Sequence, residues 1–164
     1  IPVSSFHRLF FRLFSFLTKH SMRKNYAGLS ASVDLEVQFH DVDAMEVVWH
    51  GHYLKYLEVA RGALLRRFDY DYPQMRDSGY LWPIVECQLK YVRPARYGQK
   101  LKVTATLLEY ENRLKIAYLI GDASSGERLL KAYSIQAAVE AKSGELQLVS
   151  PDILFEKLEK CCEA

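Results

Sequence analysis

Residues 39–53 combine carboxylates, histidines and the start of a predicted helix, a set of groups that can act on an acyl carbonyl. Asp41 and Asp43 are predicted in a loop, and His50 follows just before the helix. A carboxylate can attack a carbonyl carbon or activate a water molecule. The unpaired backbone N–H groups at a helix start can stabilise the oxyanion that develops on the carbonyl oxygen. The pattern therefore favours an acyl-transfer site that needs no serine, cysteine or metal ion.

Each of these residues also has a structural interpretation. Asp41 and Asp43 are typical turn formers, and a carboxylate pair can bind Mg²⁺ when further oxygen ligands are present. His50 and His52 lack the i, i+4 spacing of a helical zinc pair, so no metal is predicted. Trp49 fits packing as well as substrate stacking. The residue types alone leave turn formation and catalysis open.

Two predicted elements flank this segment and must position it. Residues 33–40 alternate between apolar and polar side chains, which predicts a half-buried strand. Its apolar side is Val33, Leu35, Val37 and Phe39. From Gly51 onward, apolar residues recur at three- and four-residue spacing, which predicts a long amphipathic helix over residues 51–68. Its apolar positions are Leu54, Leu57, Ala60, Leu64, Leu65 and Phe68.

The rest of the chain is typical of short strands separated by turns. Strands are predicted over residues 82–92, 100–110, 113–122, 127–141 and 145–149. Residues 69–79 are predicted as a connection because of Pro73 and Gly79, and Pro151 opens a terminal helix. One long helix and an antiparallel sheet form an α+β arrangement, with the sheet wrapped around the helix. The exposed helix ends and far sheet face predict dimerisation.

Composition limits the class of protein. The chain has 164 residues, of which 49% are hydrophobic, and it is the size of one domain. Residues 25–164 hold 17 basic and 20 acidic side chains, which argues against a nucleic-acid partner. No GxGxxG or Walker sequence occurs, so no nucleotide cofactor is expected. The three cysteines lack CxxC spacing and indicate a reducing compartment, and Cys87 lies in an apolar run that predicts burial.

Residues 1–21 form a basic segment of a different character. Apolar residues follow helical spacing, and Arg8, Arg12 and Lys19 supply charge without any acid. The segment fits an amphipathic helix on a membrane surface or a partner, or a targeting segment. It also fits a leader that precedes a start at Met22. We therefore predict an N-terminal extension over residues 1–30 and a catalytic domain over residues 31–164.

Several motifs resemble those of hotdog-fold thioesterases of the 4-hydroxybenzoyl-CoA/YbgC-like group. They run in the family's order over residues 33–141. They are Asp41-Val42-Asp43, Val47-Val48-Trp49-His50, Tyr53, Glu58-Val59-Ala60-Arg61 and Tyr91-Val92-Arg93-Pro94-Ala95-Arg96-Tyr97-Gly98. The resemblance implies a hotdog fold and hydrolysis of acyl-CoA or acyl-carrier thioesters without a cofactor. It further implies a cytoplasmic homodimer or homotetramer, with membrane contact through residues 1–21 left open.

The resemblance also implies roles for individual residues. Asp43 is expected to be the catalytic carboxylate, as nucleophile or general base, and His50 to position substrate or water. The backbone N–H groups of His50 and Gly51 are expected to polarise the thioester carbonyl. Substrate-binding residues are expected to be Trp49, Tyr53, Glu58, Arg93 and Arg113, with Arg96 as a further phosphate contact.

Three residues depart from the family pattern. Glu46 replaces a usual glycine, His52 replaces a usual asparagine, and Phe39 replaces a tyrosine found in some relatives. These changes affect the expected substrate more than the reaction class. The wider sequence resembles bacterial members encoded among aryl-polyene or fatty-acid-like biosynthesis genes, which suggests a carrier-protein thioester. The alternatives are a hotdog hydratase or dehydratase and a non-catalytic acyl-thioester-binding protein.

Overall fold

The computed structural model describes residues 25–163 of the chain. The basic segment predicted as an amphipathic helix or leader, residues 1–21, lies outside the described residues. The division of the chain after residue 30 stays a prediction.

The central layer is a five-stranded antiparallel sheet. The strands are β1 (Ser30–Glu36), β2 (Tyr80–Leu81), β3 (Ile84–Tyr91), β4 (Lys100–Glu109), β5 (Leu114–Asp122), β6 (Arg128–Gln136) and β7 (Val139–Glu140). The order in the large sheet is β1-β4-β5-β6-β3, and β2 pairs with β7 in a separate two-stranded sheet. Strands β4, β5 and β6 follow one another along the chain and pair as hairpins. Strand β3 therefore forms one edge of the large sheet.

One long helix fills the inner face of this sheet. The helices are α1 (Tyr53–Arg67), α2 (Tyr72–Asp77) and α3 (Asp152–Glu163). Helix α1 packs across β1 and β4. Its buried residues Leu57, Ala60, Leu64 and Leu65 meet the alternating buried residues of β4, Leu101, Val103, Ala105 and Leu107. The predicted α+β arrangement, an antiparallel sheet around a central helix with a C-terminal helix, is confirmed.

The segment before α1 differs from its predicted form. Strand β1 ends at Glu36, and Val37 is the last inward-facing residue. A short 3-10 turn, Phe39–Asp41, follows and leaves Phe39 77% exposed, so its predicted place on the apolar face is wrong. The reason is local capping, because the backbone N–H of Gln38 donates to the Asp41 carboxylate and ends the extended run. A second 3-10 turn, His50–His52, leads into α1.

The apolar face of α1 is also shifted from the prediction. Leu54 is 49% exposed, whereas Arg61 is buried. Helix α1 packs mainly on β1 and β4, so the burial of its side chains depends on this packing as well as on hydropathy. Buried Arg61 donates to the carboxylate of Glu58 and the hydroxyl of Tyr72, which gives its charge a partner.

The predicted connection over residues 69–79 contains a helix. Asp71 caps α2, and its carboxylate accepts from the N–H of Tyr72 at 2.9 Å. Pro73 lies in the first turn, where a proline disrupts no helical hydrogen bond, so it does not break the helix.

Two predicted strands have different bounds. The strand predicted over residues 145–149 does not form, because only Leu146 makes a bridge, to Val139. The strand predicted over residues 127–141 divides into β6 and β7.

The predicted burial of Cys87 is wrong. Every residue of β3 except Leu89 is exposed, and Cys87 is among the exposed ones. An apolar sequence run predicts burial only when another layer covers it, and α1 lies over β1 and β4 instead.

Among the described residues, no helix is both long enough and apolar enough to cross a lipid bilayer.

Candidate active site

A cavity of about 260 Å³ lies where the loop after β1, the start of α1 and the end of β3 meet. Its lining is mostly apolar with a few polar groups, as is typical of small-molecule sites. The lining residues are Asp43, Met45, Val47, Val48, His50, Tyr53, Tyr91, Val92, Arg93 and Pro94. Four of the residues predicted from the sequence, Asp43, His50, Tyr53 and Arg93, therefore share one cavity.

Asp43 opens a tight turn at the edge of this cavity. Its backbone N–H donates to the carbonyl oxygen of Val47 at 2.9 Å, and its Oδ1 accepts from the N–H of Met45 at 2.8 Å. The turn also holds Glu46 at a φ of 60°, in the left-handed region that favours glycine. Oδ2 of Asp43 accepts no hydrogen bond from the residues that the structure describes. Turn formation thus uses one carboxylate oxygen and leaves the other for a ligand.

The 3-10 turn His50–His52 presents backbone donors beside Asp43. No side chain caps its first N–H groups. Within the described part of the chain, the N–H groups of His50 and Gly51 have no hydrogen-bond acceptor. They lie at the amino end of α1, where the helix dipole is positive. Such donors suit an oxygen that becomes negative during a reaction.

Gly51 is required by the packing of Trp49. A Cβ atom at Gly51 would lie only 2.3 Å from the Trp49 ring. The ring also contacts the imidazoles of His50 and His52, with centroid distances of 4.9 and 5.1 Å. Trp49 is not among the residues that line the cavity. The structure places it beside the helix start, where its ring covers Gly51.

Tyr53 and Tyr91 form the aromatic wall of the cavity. Their ring centroids are 5.5 Å apart. Tyr53 is buried, and its hydroxyl oxygen accepts from the N–H of Ala95 at 3.0 Å. Burial raises the pKa of Tyr53, so its hydroxyl stays protonated at neutral pH. The hydroxyl of Tyr91 donates to the carbonyl oxygen of His50 at 2.9 Å.

A second, wider cavity adjoins the first. Its volume is about 570 Å³, and it shares Arg93 and Pro94 with the first cavity. Arg96 lies along it, as does Glu127, which forms an ion pair with Arg93 at 2.9 Å. Arginine guanidinium groups match the geometry of phosphate oxygens. A ligand that extends from the first cavity into the second would therefore pass both arginines.

Two predicted site residues lie elsewhere. Glu58 lies on α1, outside both cavities, and its carboxylate accepts hydrogen bonds from Arg61 and from the Tyr72 hydroxyl. Arg113 forms an ion pair with Glu109 at 2.9 Å at the turn between β4 and β5. The geometry brings neither residue to the Asp43 cavity. Among residues 25–163, no group of three or more His, Cys, Asp or Glu side chains could hold a metal ion.

Tyr91 and the cavity-lining residues Met45, Val92 and Pro94 were not predicted as site residues from the sequence. Tyr91 begins the family-like segment of residues 91–98 that also contains Arg93, and this shared segment was the signal that could have indicated Tyr91. The contact of Tyr91 with His50 joins residues that are 41 positions apart, and no local pattern encodes that distance.

Comparison with known proteins relates most of the chain to one family. The model of the thioesterase-like superfamily matches residues 37–155. A Bacillus subtilis protein with the provisional name acyl-CoA thioesterase YneP is 32% identical over 111 residues, which are 67% of this chain and 80% of the relative.

Solved structures resemble the fold closely. Slr0204, a 1,4-dihydroxy-2-naphthoyl-CoA thioesterase from Synechocystis, has a TM-score of 0.68 and 19% identity, covering 79% of this chain and 95% of its own. A mutant 4-hydroxybenzoyl-CoA thioesterase in complex with 4-hydroxybenzoyl-CoA has a TM-score of 0.69 and 17% identity, covering 79% of this chain and 99% of its own. At these identities the likeness shows the fold alone, and it confirms the predicted hotdog arrangement.

Proposed function

The chain belongs to the thioesterase-like superfamily, and we propose that it hydrolyses acyl-CoA thioesters with Asp43 as the catalytic carboxylate. The observation that carries this proposal is the meeting of two features in one apolar cavity. Asp43 has an oxygen without a hydrogen-bond donor among the described residues, and the N–H groups of His50 and Gly51 lack a cap. A carboxylate and an oxyanion-binding group are together sufficient for thioester hydrolysis without a serine or cysteine nucleophile.

The arrangement supports a simple reaction course. The thioester carbonyl oxygen accepts hydrogen bonds from the N–H groups of His50 and Gly51, which stabilise the oxyanion of the tetrahedral intermediate. As nucleophile, Oδ2 of Asp43 forms a bond to the carbonyl carbon, and the carbon–sulfur bond breaks to release the thiolate. Water then cleaves the mixed anhydride, which yields the free acid and restores the carboxylate.

Asp43 can alternatively act as a general base. Oδ2 then takes a proton from a water molecule while the oxygen of that water molecule bonds to the carbonyl carbon. The carbon–sulfur bond breaks, and the proton passes to the leaving thiolate. Both routes need an ionised carboxylate and give the same products. We assign the imidazole of His50 the role of orienting the water molecule, and the presence of His50 in the cavity lining supports that role.

The two adjoining cavities fit the two parts of the substrate. The apolar lining around Val47, Val48 and Val92 suits the acyl group. The wider cavity with Arg93 and Arg96 suits the pantetheine arm and its phosphates. A carrier-protein thioester shares the phosphopantetheine arm, so it is a second substrate to test. The three free cysteines fit a reducing compartment such as the cytoplasm.

We also propose that the enzyme is a homodimer. Among the residues that the structure describes, no strand pairs with the outer edge of β3, and Ile84 and Val85 on it are exposed hydrophobic residues. Tyr91 and Val92 continue this apolar surface to the cavity. An unpaired apolar edge strand is a surface that proteins cover. A second copy that presents the same strand would cover it with matching hydrogen bonds and apolar contacts.

Thiol release from a panel of acyl-CoA and acyl-carrier thioesters tests the proposed reaction. Asp43→Asn retains the Oδ1 acceptor for the N–H of Met45 but removes the charge. We expect it to lower kcat by about 1,000-fold or more, a magnitude typical of losing a nucleophile or base. The matched control is Asp71→Asn, because Asp71 also accepts from a backbone N–H but lies outside the cavity. Full activity of Asp43→Asn, or no thiol release by the wild type, would refute the proposal.

A further inference from the structure

Asp41 is a buried carboxylate that the proposed reaction does not use. It is 3% exposed and lies two residues before Asp43. Its Oδ2 accepts from the hydroxyl of Tyr56 at 2.8 Å and from the N–H of Gln38 at 3.2 Å. A buried carboxylate is costly without such donors, so these bonds hold the side chain in one place.

The backbone of Asp41 makes a second set of bonds. Its carbonyl oxygen accepts from the N–H of Trp49 at 2.9 Å and lies 3.0 Å from Nδ1 of His52. Trp49 and His52 lie directly before and after His50 and Gly51 in the chain. The N–H groups of His50 and Gly51 are the proposed oxyanion donors. Asp41 is therefore attached at two points. Its backbone carbonyl binds the turn that begins α1, and its carboxylate binds Tyr56 in the first turn of α1.

This double attachment sets the spacing of the proposed catalytic groups. Asp43 follows Asp41 by two residues, so it cannot shift far while Asp41 is held. The oxyanion donors belong to the turn that the Asp41 carbonyl holds. A displacement of about 1 Å in such a constellation can lower a rate by about 100-fold. The bonds of Asp41 control that displacement.

Tyr56 is suited to be a constant donor to this carboxylate. It is buried on α1, and its ring packs against Tyr53 with a centroid distance of 6.0 Å. Burial, and then the hydrogen bond to Asp41, raise the pKa of Tyr56, so its hydroxyl keeps its proton through the pH range of enzyme assays. The imidazoles of His52 and His40 also face Asp41, with nitrogen–oxygen distances of 3.5 and 3.7 Å.

We propose that Asp41 and Tyr56 form a positioning pair that holds the Asp43 turn against the N–H groups of His50 and Gly51. The inference rests on the proposed hydrolase function. Neither residue lines the cavity, so each acts through Asp43 and the helix start rather than by contact with the substrate.

Steady-state kinetics of Tyr56→Phe, Asp41→Asn and the double variant test the pair. We expect kcat to fall about 10-fold and about 100-fold in the single variants, with KM within about threefold, because positioning affects the transition state most. The double variant should match Asp41→Asn, since the effects of two residues that act as one unit are not additive.

The control is Tyr118→Phe, which removes another buried hydrogen bond of a tyrosine hydroxyl, 2.8 Å long and shared with Ser134. It should keep kcat within about twofold at a comparable loss of melting temperature.

Amide hydrogen exchange provides a readout that needs no substrate. The N–H groups of Asp43 and Trp49 are bonded in the native turn, and we expect both to exchange about 10-fold faster in Tyr56→Phe but not in Tyr118→Phe. Unchanged exchange, or faster exchange with unchanged kcat, would overturn the positioning pair. If the wild type releases no thiol, the proposed hydrolase function fails, and the exchange rates alone decide whether Asp41 holds the turn. Should Asp41→Asn not fold, Tyr56→Phe carries the test.

Discussion

The hydroxyl of Tyr91 lies 2.9 Å from the carbonyl oxygen of His50 and donates a hydrogen bond to it. This bond ties the end of β3 to the turn that begins α1, and it crosses the wall of the Asp43 cavity. The carbonyl that it holds lies in the same planar peptide unit as the N–H of Gly51, one of the proposed oxyanion donors. The position of the sheet edge and the direction of that N–H group are therefore coupled.

Removal of this hydroxyl should reduce catalysis more than stability. In Tyr91→Phe we expect kcat to fall about 5- to 10-fold, because the His50 peptide becomes free to rotate. The free energy of unfolding should fall by about 1 kcal/mol or less, since a partly exposed neutral hydrogen bond contributes little. Thiol-release kinetics and urea denaturation measure the two effects. The control is Tyr133→Phe, which loses a bond to Glu86 outside the cavity. Equal kcat values for the two variants would contradict the coupling.

Arg93 should contribute to recognition of the CoA phosphates. We expect Arg93→Ala to raise KM for an acyl-CoA about 10-fold, equivalent to about 1.4 kcal/mol of binding. The KM for the matching acyl-N-acetylcysteamine thioester, which lacks phosphates, should stay the same. Arg113→Ala serves as the control, since Arg113 pairs with Glu109 away from both cavities. A larger effect of Arg113→Ala than of Arg93→Ala would show that the phosphates bind elsewhere.

Glycine at position 46 should stabilise the protein. Glu46 has a φ of 60°, a conformation that costs an L-residue about 1–2 kcal/mol. Glycine avoids that cost, but it lowers the free energy of unfolding by about 0.5–1 kcal/mol because it makes the unfolded chain more flexible. We therefore expect Glu46→Gly to raise the free energy of unfolding by about 0.5 kcal/mol, measured by urea denaturation. Glu46→Ala, which removes the charge but keeps the Cβ atom, should not reproduce the gain. A lower denaturation midpoint for Glu46→Gly would be inconsistent with strain at this turn.

A charge on the edge of β3 should prevent assembly. Val85 is 61% exposed on the edge strand β3, and we expect Val85→Asp to convert a dimer to a monomer. Size-exclusion chromatography with light scattering measures the change in mass. Leu119→Asp is the control, because Leu119 is an exposed hydrophobic residue on β5, in the interior of the sheet order. Equal masses for Val85→Asp and the wild type would mean that β3 is not the interface.

Asp122 should give the protein a defined acid sensitivity. A hydrogen bond from Gln99 and further bonds from Ser125 and Ser124 lower the pKa of Asp122 to about 2. The unfolded value is about 3.9, so the folded state favours the ionised form. The stabilisation is therefore fully present above about pH 5, begins to fall near the unfolded pKa, and is lost as the pH falls through the folded pKa.

Melting temperatures measured from pH 7 to pH 2 test this window. The difference between the wild type and Asp122→Asn should be constant above about pH 5 and should shrink below about pH 4. Gln99→Ala removes the donor with the largest effect on Asp122, so it should move the loss of stability to higher pH. A difference that stays constant down to pH 2 would show that Asp122 contributes no such linkage.

Local patterns were sufficient for much of the fold. Three- and four-residue spacing of apolar side chains predicted α1 to within two residues, and the strand and turn signals predicted β4 and β5 to within one. These patterns work because a helix or strand that packs on one face must repeat its buried residues at its own period. The proposed catalytic segment could be located because Asp43 and His50 lie in one short stretch between a predicted strand and a predicted helix, and because its motifs resemble those of a known family.

Other features depend on which elements become neighbours, and one-dimensional patterns do not encode that. Arg61 is buried and Leu54 is exposed, although hydropathy alone predicts the reverse. Cys87 is exposed because β3 is the edge strand. The separation of Glu58 from the cavity, and the contacts of Tyr91 with His50 and of Tyr56 with Asp41, arise from packing between distant segments. Residue type, spacing and the resemblance to a known family led to the proposed reacting groups, whereas their alignment required the three-dimensional arrangement of helix, loop and sheet edge.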